Sequence, residues 1–491
     1  MSNSTFGSFE IGRRALHAQQ KGVQVTGQNI ANANTEGYSR QAVQMRALVP
    51  PAVPGVSTAP GYGVEVSDIT RLKSEFYGEQ IMKALSDQHY WERLGQTVDG
   101  IEAIFQEPDE NGINIYLNEF FDALQEVSVN PESYAARISL REQAVSLTGL
   151  VRDIYERLDE FKYDVEKELD TVVSQINSLA TEIAGLNEKI TYLQALGQKS
   201  NEMLDERDLR LQELSELVDI RVIQRTNGSV EVLAGGRLLL HDNRSFELEK
   251  EIKGDVASVK NNLGAELSVK GGALRGMLES YNEVFPRYMD GLDDFVSALV
   301  EEVNKIHNEG FGLDGVKFGD GEDGKEGENY FFEPILEPGD SEQPVSAAKS
   351  FAVAQRIIDD PGRIAAASSI IEESEGEETP LPGDGGNALK IAQLRENLVS
   401  FGNEENKATF HDYYRGMIAD LGVEGRETNR MLQNFITVAD RLQEQQESVS
   451  SVSLDDEMLN MVQFQHAYNA AARFLTVFDE MLAILLSELG R

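Results

Sequence analysis

LTGLVRDIYERLDEFKYDVEKELDTVVSQINSLATEIAGLNEKITYL, residues 147–193, decides the architecture. Within it Leu147, Val151, Ile154, Leu158, Phe161, Val165, Leu169, Val172, Ile176, Leu179, Ile183, Leu186, Ile190 and Leu193 recur in steps of four and three, all apolar. That spacing draws one stripe along one face of an α-helix. The alternation fails once. Phe161, Val165 and Leu169 follow one another by two steps of four, a stutter that locally unwinds a coiled coil. No proline falls between Pro131 and Pro286, so nothing there breaks the helix. At about 1.5 Å per residue the run reaches roughly 70 Å, which predicts a rod.

Working outward, helices are expected over 68–106 and 113–129. The second carries Ile113, Leu117, Phe120, Leu124 and Val127 on one face and ends at Asn130-Pro131. Beyond the rod the period changes. Val218-Asp-Ile220-Arg-Val222 alternates, Asn227-Gly228 supplies a turn, and Val230-Glu-Val232 alternates again before Gly235-Gly236. Residues 218–270 therefore read as a small β module. Helical spacing returns in Leu278, Tyr281, Phe285, Tyr288, Leu292, Phe295 and Leu299, with Pro286 expected to kink or split that helix. Helices are expected again over 388–450.

The two ends are both helical and amphipathic. Phe9, Leu16, Val23 and Ile30 recur every seven residues in a helix over 5–31, beside a second stripe of Ile11, Ala15, Ala18, Gly22 and Val25. A polar exit follows from Asn29 to Gln41, and residues 49–66, rich in proline and glycine, read as an extended connector. The last helix starts near Leu454, capped by Ser453, with Asp455, Asp456 and Glu457 in its first turn. Phe464, Ala467, Ala471, Phe474, Phe478, Met481 and Leu485 form one stripe on it, flanked by a second through Leu454, Met458, Met461 and Leu475. A face that wide asks for several neighbouring helices. Residues 1–50 carry five basic and two acidic side chains, residues 451–491 two basic and six acidic, so opposite charge favours pairing of the ends. The fold class is mainly α: long coiled-coil-like helices, paired N- and C-terminal helices and a small inserted β module.

Composition narrows the function. The 491 residues hold 84 acidic and 44 basic side chains, a net charge of −40, which repels nucleic acid and anionic membranes. There is no cysteine, hence no disulfide and no thiolate ligand or nucleophile. Arg13-Arg14 is followed by no apolar core, so no cleaved signal is read, and the greasy stretch Phe474–Leu486 is short and broken by Asp479-Glu480. No membrane insertion is expected. His17, His89, His241, His307, His411 and His466 are scattered, and His307-Asn-Glu309 lacks the second histidine of a zinc helix. No phosphate loop, dinucleotide fingerprint or serine elbow occurs. Asp320–Glu328 does not fit a calcium loop. No catalytic residue, metal site or cofactor is read from the sequence. Acidic pairs such as Asp205-Glu206 and Asp455-Asp456 read as helix-end or surface charges. From Glu309 to Glu342 eleven acidic residues face two basic ones, and Glu372–Glu378 adds five glutamates in seven, so this part is expected to form the least core and to face outwards.

The segment Asn29-Ile-Ala-Asn32-Ala-Asn-Thr35-Glu-Gly37-Tyr38-Ser-Arg40-Gln41 resembles the element near the start of flagellar rod, hook and junction proteins. Ser200-Asn-Glu-Met-Leu-Asp205-Glu-Arg207-Asp208, then Asn227-Gly-Ser-Val-Glu-Val and Gly235-Gly-Arg-Leu-Leu, resemble the hook–filament junction members, the hook-associated protein 1 family. Ser453-Leu-Asp-Asp-Glu and Phe464-Gln-His-Ala-Tyr468 are similar to that family's last helix. The resemblance implies a structural, non-enzymatic flagellar subunit, exported without a cleaved peptide to the extracellular flagellum. It also implies partners: copies of itself, the hook protein, a second junction protein on the filament side, and an export chaperone on the C-terminal helix.

The expected organisation is then 1–67 with 451–491 as a terminal helical core, and 68–217 with 271–308 and 388–450 as a helical rod. Residues 218–270 are the β module and 309–387 an acidic, loop-rich outer insert. The assembly interface is expected at Phe9, Leu16, Val23, Ile30, Phe464, Ala471, Phe474, Phe478, Met481 and Leu485. A hook or distal-rod subunit is the nearest alternative, and a secreted coiled-coil adhesin the alternative from another class.

Overall fold

The structure is a computed structural model that describes residues 2–48, 62–105, 112–313, 329–335, 346–372, 378–381 and 383–489. Its elements run α1 (Ser2–Ala31), β1 (Gln41–Ala47), β2 (Val64–Arg71), α2 (Glu75–Phe105), α3 (Ile113–Val129), α4 (Tyr134–Ala195) and α5 (Asn201–Leu217). The β module follows as β3 (Ile220–Gln224), β4 (Val230–Ala234), β5 (Arg237–His241), β6 (Arg244–Ser245), β7 (Leu248–Lys253) and β8 (Val256–Asn261). Then come α6 (Gly272–Glu279), a π-helical turn (Ser280–Val284), α7 (Phe285–His307), α8 (Gln355–Asp359), β9 (Ile370–Glu372), β10 (Glu378–Pro380) and α9 (Gly386–Gln393). The chain closes with β11 (Val399–Phe401), β12 (Asn403–Ala408), α10 (Phe410–Ser450) and α11 (Leu454–Leu489).

The rod is α4, 62 residues long, or about 93 Å at 1.5 Å per residue. Ser133 caps it, its hydroxyl accepting from the Ala136 N–H at 3.3 Å. Eleven of the fourteen stripe positions are buried; Phe161, Leu179 and Leu193 are half-buried. The exception at Phe161 explains the stutter. Its ring leaves the stripe to lie against Gly100 of α2, where any side chain would collide, and meets Phe285 edge-on at 5.2 Å. Phe285 closes the π turn, its N–H donating to the Ser280 carbonyl five residues back. Pro286 therefore does not split this helix. The extra residue of the π turn absorbs the missing donor and the ring, as such bulges do.

Around α4 gather α2, α3, α5, α6 and α7, while α10 runs antiparallel along α2. Thr428 meets Gly95 and Gly425 meets Val98, and Ala439 joins Ile81, Ala84 and Leu85 further along. The β module packs on the far end of α4 as a four-stranded sheet in the order β3-β4-β5-β6 and a hairpin β7-β8.

Several expectations are corrected. The span 49–66 is only partly described: 49–61 lie outside the described residues, and Val64 opens a strand paired antiparallel with β1, from Gln41↔Arg71 to Ala47↔Val64. The next helix accordingly begins at Glu75, not 68. Residues 399–408 form a hairpin inside the stretch read as helix. The largest correction concerns 309–387. Phe331, Phe332, Phe351, Ile357, Ile364 and Ala366 of that segment belong to the main core. Asn304 accepts the N–H groups of Phe331 and Phe332 at 2.9 Å each, and Arg137 donates to the Pro131 carbonyl at 2.9 Å and to those of Gly362 and Ile364. The acidic runs 320–328 and 373–377 lie outside the described residues. Counting charge over the whole segment hid the aromatic anchors between them.

Candidate assembly interface and the polar knot behind it

α1 and α11 lie antiparallel in a single register. Asn29 donates to Glu457 at 3.1 Å, Gly22 stands against the Phe464 ring, and Gly12 against Phe474 and Leu475. Seven residues back along α1 match seven forward along α11, and ten more match ten. Glycine is needed at 12 and 22 because a side-chain carbon there would approach these rings to within 2.7–2.9 Å. The face that α1 buries is thus the second stripe of the sequence, with Ala18 and Val25 fully covered. Gly63, beside β2, closes on Ile11 from another side.

The expected interface residues sit around this contact rather than all inside it. Leu16, Val23, Ile30, Phe464, Ala471 and Phe478 are half-buried, whereas Phe9, Phe474 and Met481 are exposed. The side chain of Leu485 lies outside the described residues. Arg13 and Arg14 do not reach α11; both pair with Glu10 of their own helix at 2.7 and 2.8 Å. The charge attraction between the ends is realised elsewhere, at Arg40 and Glu457.

The family motif residues converge behind the helix pair. α1 ends in a turn in which Thr35 donates to the Asn32 carboxamide oxygen at 3.2 Å and Asn32 donates to the Gln28 carbonyl at 3.0 Å. Gly37, at φ +75°, turns the chain in the left-handed region and faces Leu209 of α5. Asn29, 1% exposed, is the centre of the knot. Its oxygen accepts from Tyr38 Oη at 2.9 Å and the Gln41 N–H at 3.0 Å, while its amide donates to the Gln41 carbonyl and to Glu457. Arg40 donates to Glu457 at 2.8 Å, and its N–H to the Ser450 carbonyl at 2.9 Å. Glu457, only 2% exposed, is therefore satisfied wholly by α1 and its exit.

The same exit reaches α5. The Ser39 N–H donates to Asp205 at 3.1 Å, Arg71 bridges Asp205 and Asp208 at 2.8 and 2.9 Å, and Lys73 reaches Asp208 at 2.9 Å. Asn201 donates to Gln41 Oε1 and to the Ile69 carbonyl, each at 3.1 Å. Arg207 turns the other way, donating to Asn187 of α4 at 3.2 Å and to the Gly228 carbonyl at 2.7 Å. Asn187 in turn holds the Val230 N–H and carbonyl. One short block, Asp205-x-Arg207-Asp208, thus ties the terminal helices, the β1–β2 hairpin, the rod and the β module together.

Electrostatics agree with a structural lock. Burial alone would lift the Asp208 carboxyl, but Lys73 and Arg71 hold it below the usual range. Burial opposes the charge on Arg71, yet Asp208 and Asp205 raise its pKa. Burial, with Glu202, Asp205 and Glu457 nearby, pushes the Tyr38 hydroxyl up to about 12. No group of three or more His, Asp or Glu side chains among the described residues is arranged to hold a metal. His307 is fully buried, its Nδ1 at 2.7 Å from the Asn329 carbonyl and its Nε2 accepting the Ala365 N–H at 2.9 Å, so it stitches the insert to α7 as a neutral ring.

The reading of the pairs Asp205-Glu206 and Asp455-Asp456 as helix-end or surface charges is corrected for Asp205, which is buried, while Glu206, Asp455 and Asp456 are exposed as expected. Arg71 and Lys73 were not singled out from the sequence, and Glu457 was read there only as a first-turn acid of the last helix. Their partners are distant along the chain, and only a fixed helix register brings Glu457 to Asn29.

The helical-domain model of the flagellar hook-associated protein FlgK matches residues 98–323. The models of the flagella basal body rod protein and the flagellar basal body rod FlgEFG protein C-terminal match 9–38 and 443–488, the two helices just described. Flagellar hook-associated protein 1 of Bacillus subtilis is 31% identical over 99% of this chain and 99% of its own. That of Salmonella typhimurium is 23% identical over 96% and 98%. The solved structure of the flagellar hook junction protein FlgK from Burkholderia pseudomallei shares the fold, with a TM-score of 0.63 at 16% identity, covering 76% of this chain and all of that one. A full-length relative of this closeness, with paired terminal helices and a rod-shaped middle, makes the conclusion plain: the chain belongs to the flagellar hook-associated protein 1 family, the structural hook-junction proteins of the flagellum.

Proposed function

We propose that this chain forms a layer of the hook–filament junction by packing the outer faces of α1 and α11 against neighbouring copies, with hook protein on one side and a second junction protein on the other. The organisation that serves this has 1–67 with 451–491 as axial core, 68–217 with 271–308 and 388–450 as rod, 218–270 outward, and 309–387 anchored in the rod's core through Phe331 and Phe332. Passage through the flagellar export channel without a cleaved peptide, a chaperone on α11 beforehand, an extracellular location and no enzymatic activity belong to the same reading.

One observation carries it. α11 is 36 residues long and has no fully buried apolar side chain among those described. Leu459 is 63% exposed, Val477 53% and Ile484 59%, and Phe474 and Met481 are open as well. A single chain rarely leaves so long an apolar face bare unless something covers it. Burying such a side chain contributes about 1.5–3 kcal/mol, so a few of them suffice to hold a neighbour. The test has two arms. Cells lacking the gene are expected to build hooks while filament subunits leak into the medium. Cells carrying Val477→Asp together with Met481→Asp are expected to export a folded subunit and leak filament subunits in the same way. Normal filaments in the second arm would remove α11 from the interface.

A further inference from the structure

Ser39 and Arg40 are neighbours in the exit from α1, and their bonds run to opposite sides. Towards the end of the chain, the Arg40 guanidinium donates to Glu457 of α11 at 2.8 Å and its N–H to the Ser450 carbonyl of α10 at 2.9 Å. Towards the rod, the Ser39 N–H donates to Asp205 of α5 at 3.1 Å, and the side chain of Gln41 accepts from Asn201 at 3.1 Å. The Arg40 carbonyl accepts from the Leu72 N–H at 2.8 Å, just past β2. Residues 38–40 lie in no helix or strand, so these bonds set their place.

Two buried acids favour a joint that opens as a whole. Glu457 is 2% exposed and Asp205 5%. Among the described residues the carboxylate of Glu457 is bonded by Asn29 and Arg40, and that of Asp205 by Ser39 and Arg71. Both acids thus depend on the chain between Asn29 and Arg71, and neither carboxylate has a partner on its own helix. Withdrawing one side leaves a buried charge without its donor, which costs far more than breaking an exposed pair. Because Ser39 and Arg40 are adjacent, a shift that frees one displaces the other.

We propose that the docking of α11 on α1 and the docking of the β1–β2 hairpin on α5 form one latch with two states. In the locked state the terminal helices, the hairpin and α5 move as a single body. With α11 lifted from α1, Arg40 loses Glu457, the exit turn slackens, and Ser39 and Arg71 release Asp205. The terminal part is then free of the rod, while α4 and the β module stay packed. A partner that grips α11 by the face it turns towards α1 therefore receives an unlocked subunit. By linkage, a change that loosens the hairpin from α5 also loosens α11. The latch belongs to the free chain and does not depend on what covers the outer face of α11.

The test reads both sides of the latch in the full chain: protease cutting of 454–489, and amide exchange at Ser39 and Leu72. Glu457→Gln is expected to speed exchange at Ser39 and Leu72 at least fivefold, although neither residue bonds to it. Asp205→Asn, on the far side, is expected to speed cutting of 454–489 by a similar factor. With both changes, each readout is expected to fall well short of the product of the single effects, because an opened latch leaves little more to open. Arg46→Ala breaks only an exposed pair with Glu65 across the hairpin and is expected to leave both readouts within twofold. Exchange across 151–190 is expected to stay unchanged in every variant. Should Asp205→Asn not fold, wild type decides: under rising urea, the Ser39, Leu72 and Glu457 amides are expected to open with one free energy and one urea dependence. Variants that each move only their own side, effects that multiply in full, or separate opening of those amides overturn the proposal. So does exchange across 151–190 that rises in step, which would mean general unfolding and no latch.

Discussion

Leu158, Leu169, Ile176 and Ile183 of α4 have no exposed surface, whereas Met458, Val477 and Ile484 of α11, on a helix of comparable regularity, stand about half open. The sequence period is the same kind in both. The difference lies in what surrounds them: α4 is enclosed along its length by helices and the β module of the same chain, and α11 meets α1 alone as its major neighbour. A periodic apolar stripe says that a face must be covered; it does not say by which chain. Where the chain covers it, the stripe serves stability. Where it does not, the stripe stays open to a neighbour, which is the role proposed for α11.

The contrast can be broken by mutation, starting from the interior. Leu169→Ala in α4 leaves a cavity that the packed rod cannot close, and is expected to lower unfolding free energy by about 2–5 kcal/mol in urea titration. An equal loss from Val477→Ala in the free chain would erase the distinction drawn here.

Next comes the stitching of the insert to the core. Burial lowers the His307 pKa from 6.5 to about 4. Because the folded value is depressed, the stability linked to the neutral ring is fully present above pH 6.5 and is lost as pH falls towards about 4. The full effect is on the order of 3 kcal/mol. Gln can donate to Asn329 and accept from Ala365 without titrating, so His307→Gln is expected to lose less stability than wild type between pH 6.5 and 4. Parallel pH curves for the two proteins would assign the sensitivity to other groups.

Smaller effects belong to the terminal pair. Glu457→Gln keeps a partner for Asn29 but drops the charge opposite Arg40, which is itself partly solvated. A loss of about 2 kcal/mol in the docking of α11 is expected, read as earlier proteolysis of 454–489 with the rod intact. Unchanged cleavage would demote the knot to decoration. Smallest of all, Arg13→Glu with Arg14→Glu removes only exposed pairs within α1, and both melting and junction assembly are expected to stay close to wild type. Loss of assembly in that variant would mean that these arginines serve a neighbour.

Much of this architecture is legible because helices advertise themselves locally. The limits of α3, the fourteen-position stripe of α4 and the Ser453 start of α11 follow from spacing and caps. The β1–β2 hairpin was missed although Val43 and Met45, then Val64 and Val66, alternate, because sixteen residues of connection hide the pairing. The insert was misjudged because acidity averaged over 309–387 outweighed the Phe331-Phe332 pair that anchors it. As for the site, the motif residues could be named from resemblance, but not what they touch. That Asp205 receives Ser39, and Glu457 receives Asn29 and Arg40, depends on helix register and on a turn at Gly37, which no local window contains.

The central claim, that α11 awaits other chains while α4 does not, is tested most directly by amide hydrogen exchange on the free subunit and on isolated hook–filament junctions. Exchange across 458–484 is expected to slow at least a hundredfold on assembly, while exchange across 151–190, already protected, stays unchanged. Equal protection of 458–484 in both states would contradict the account.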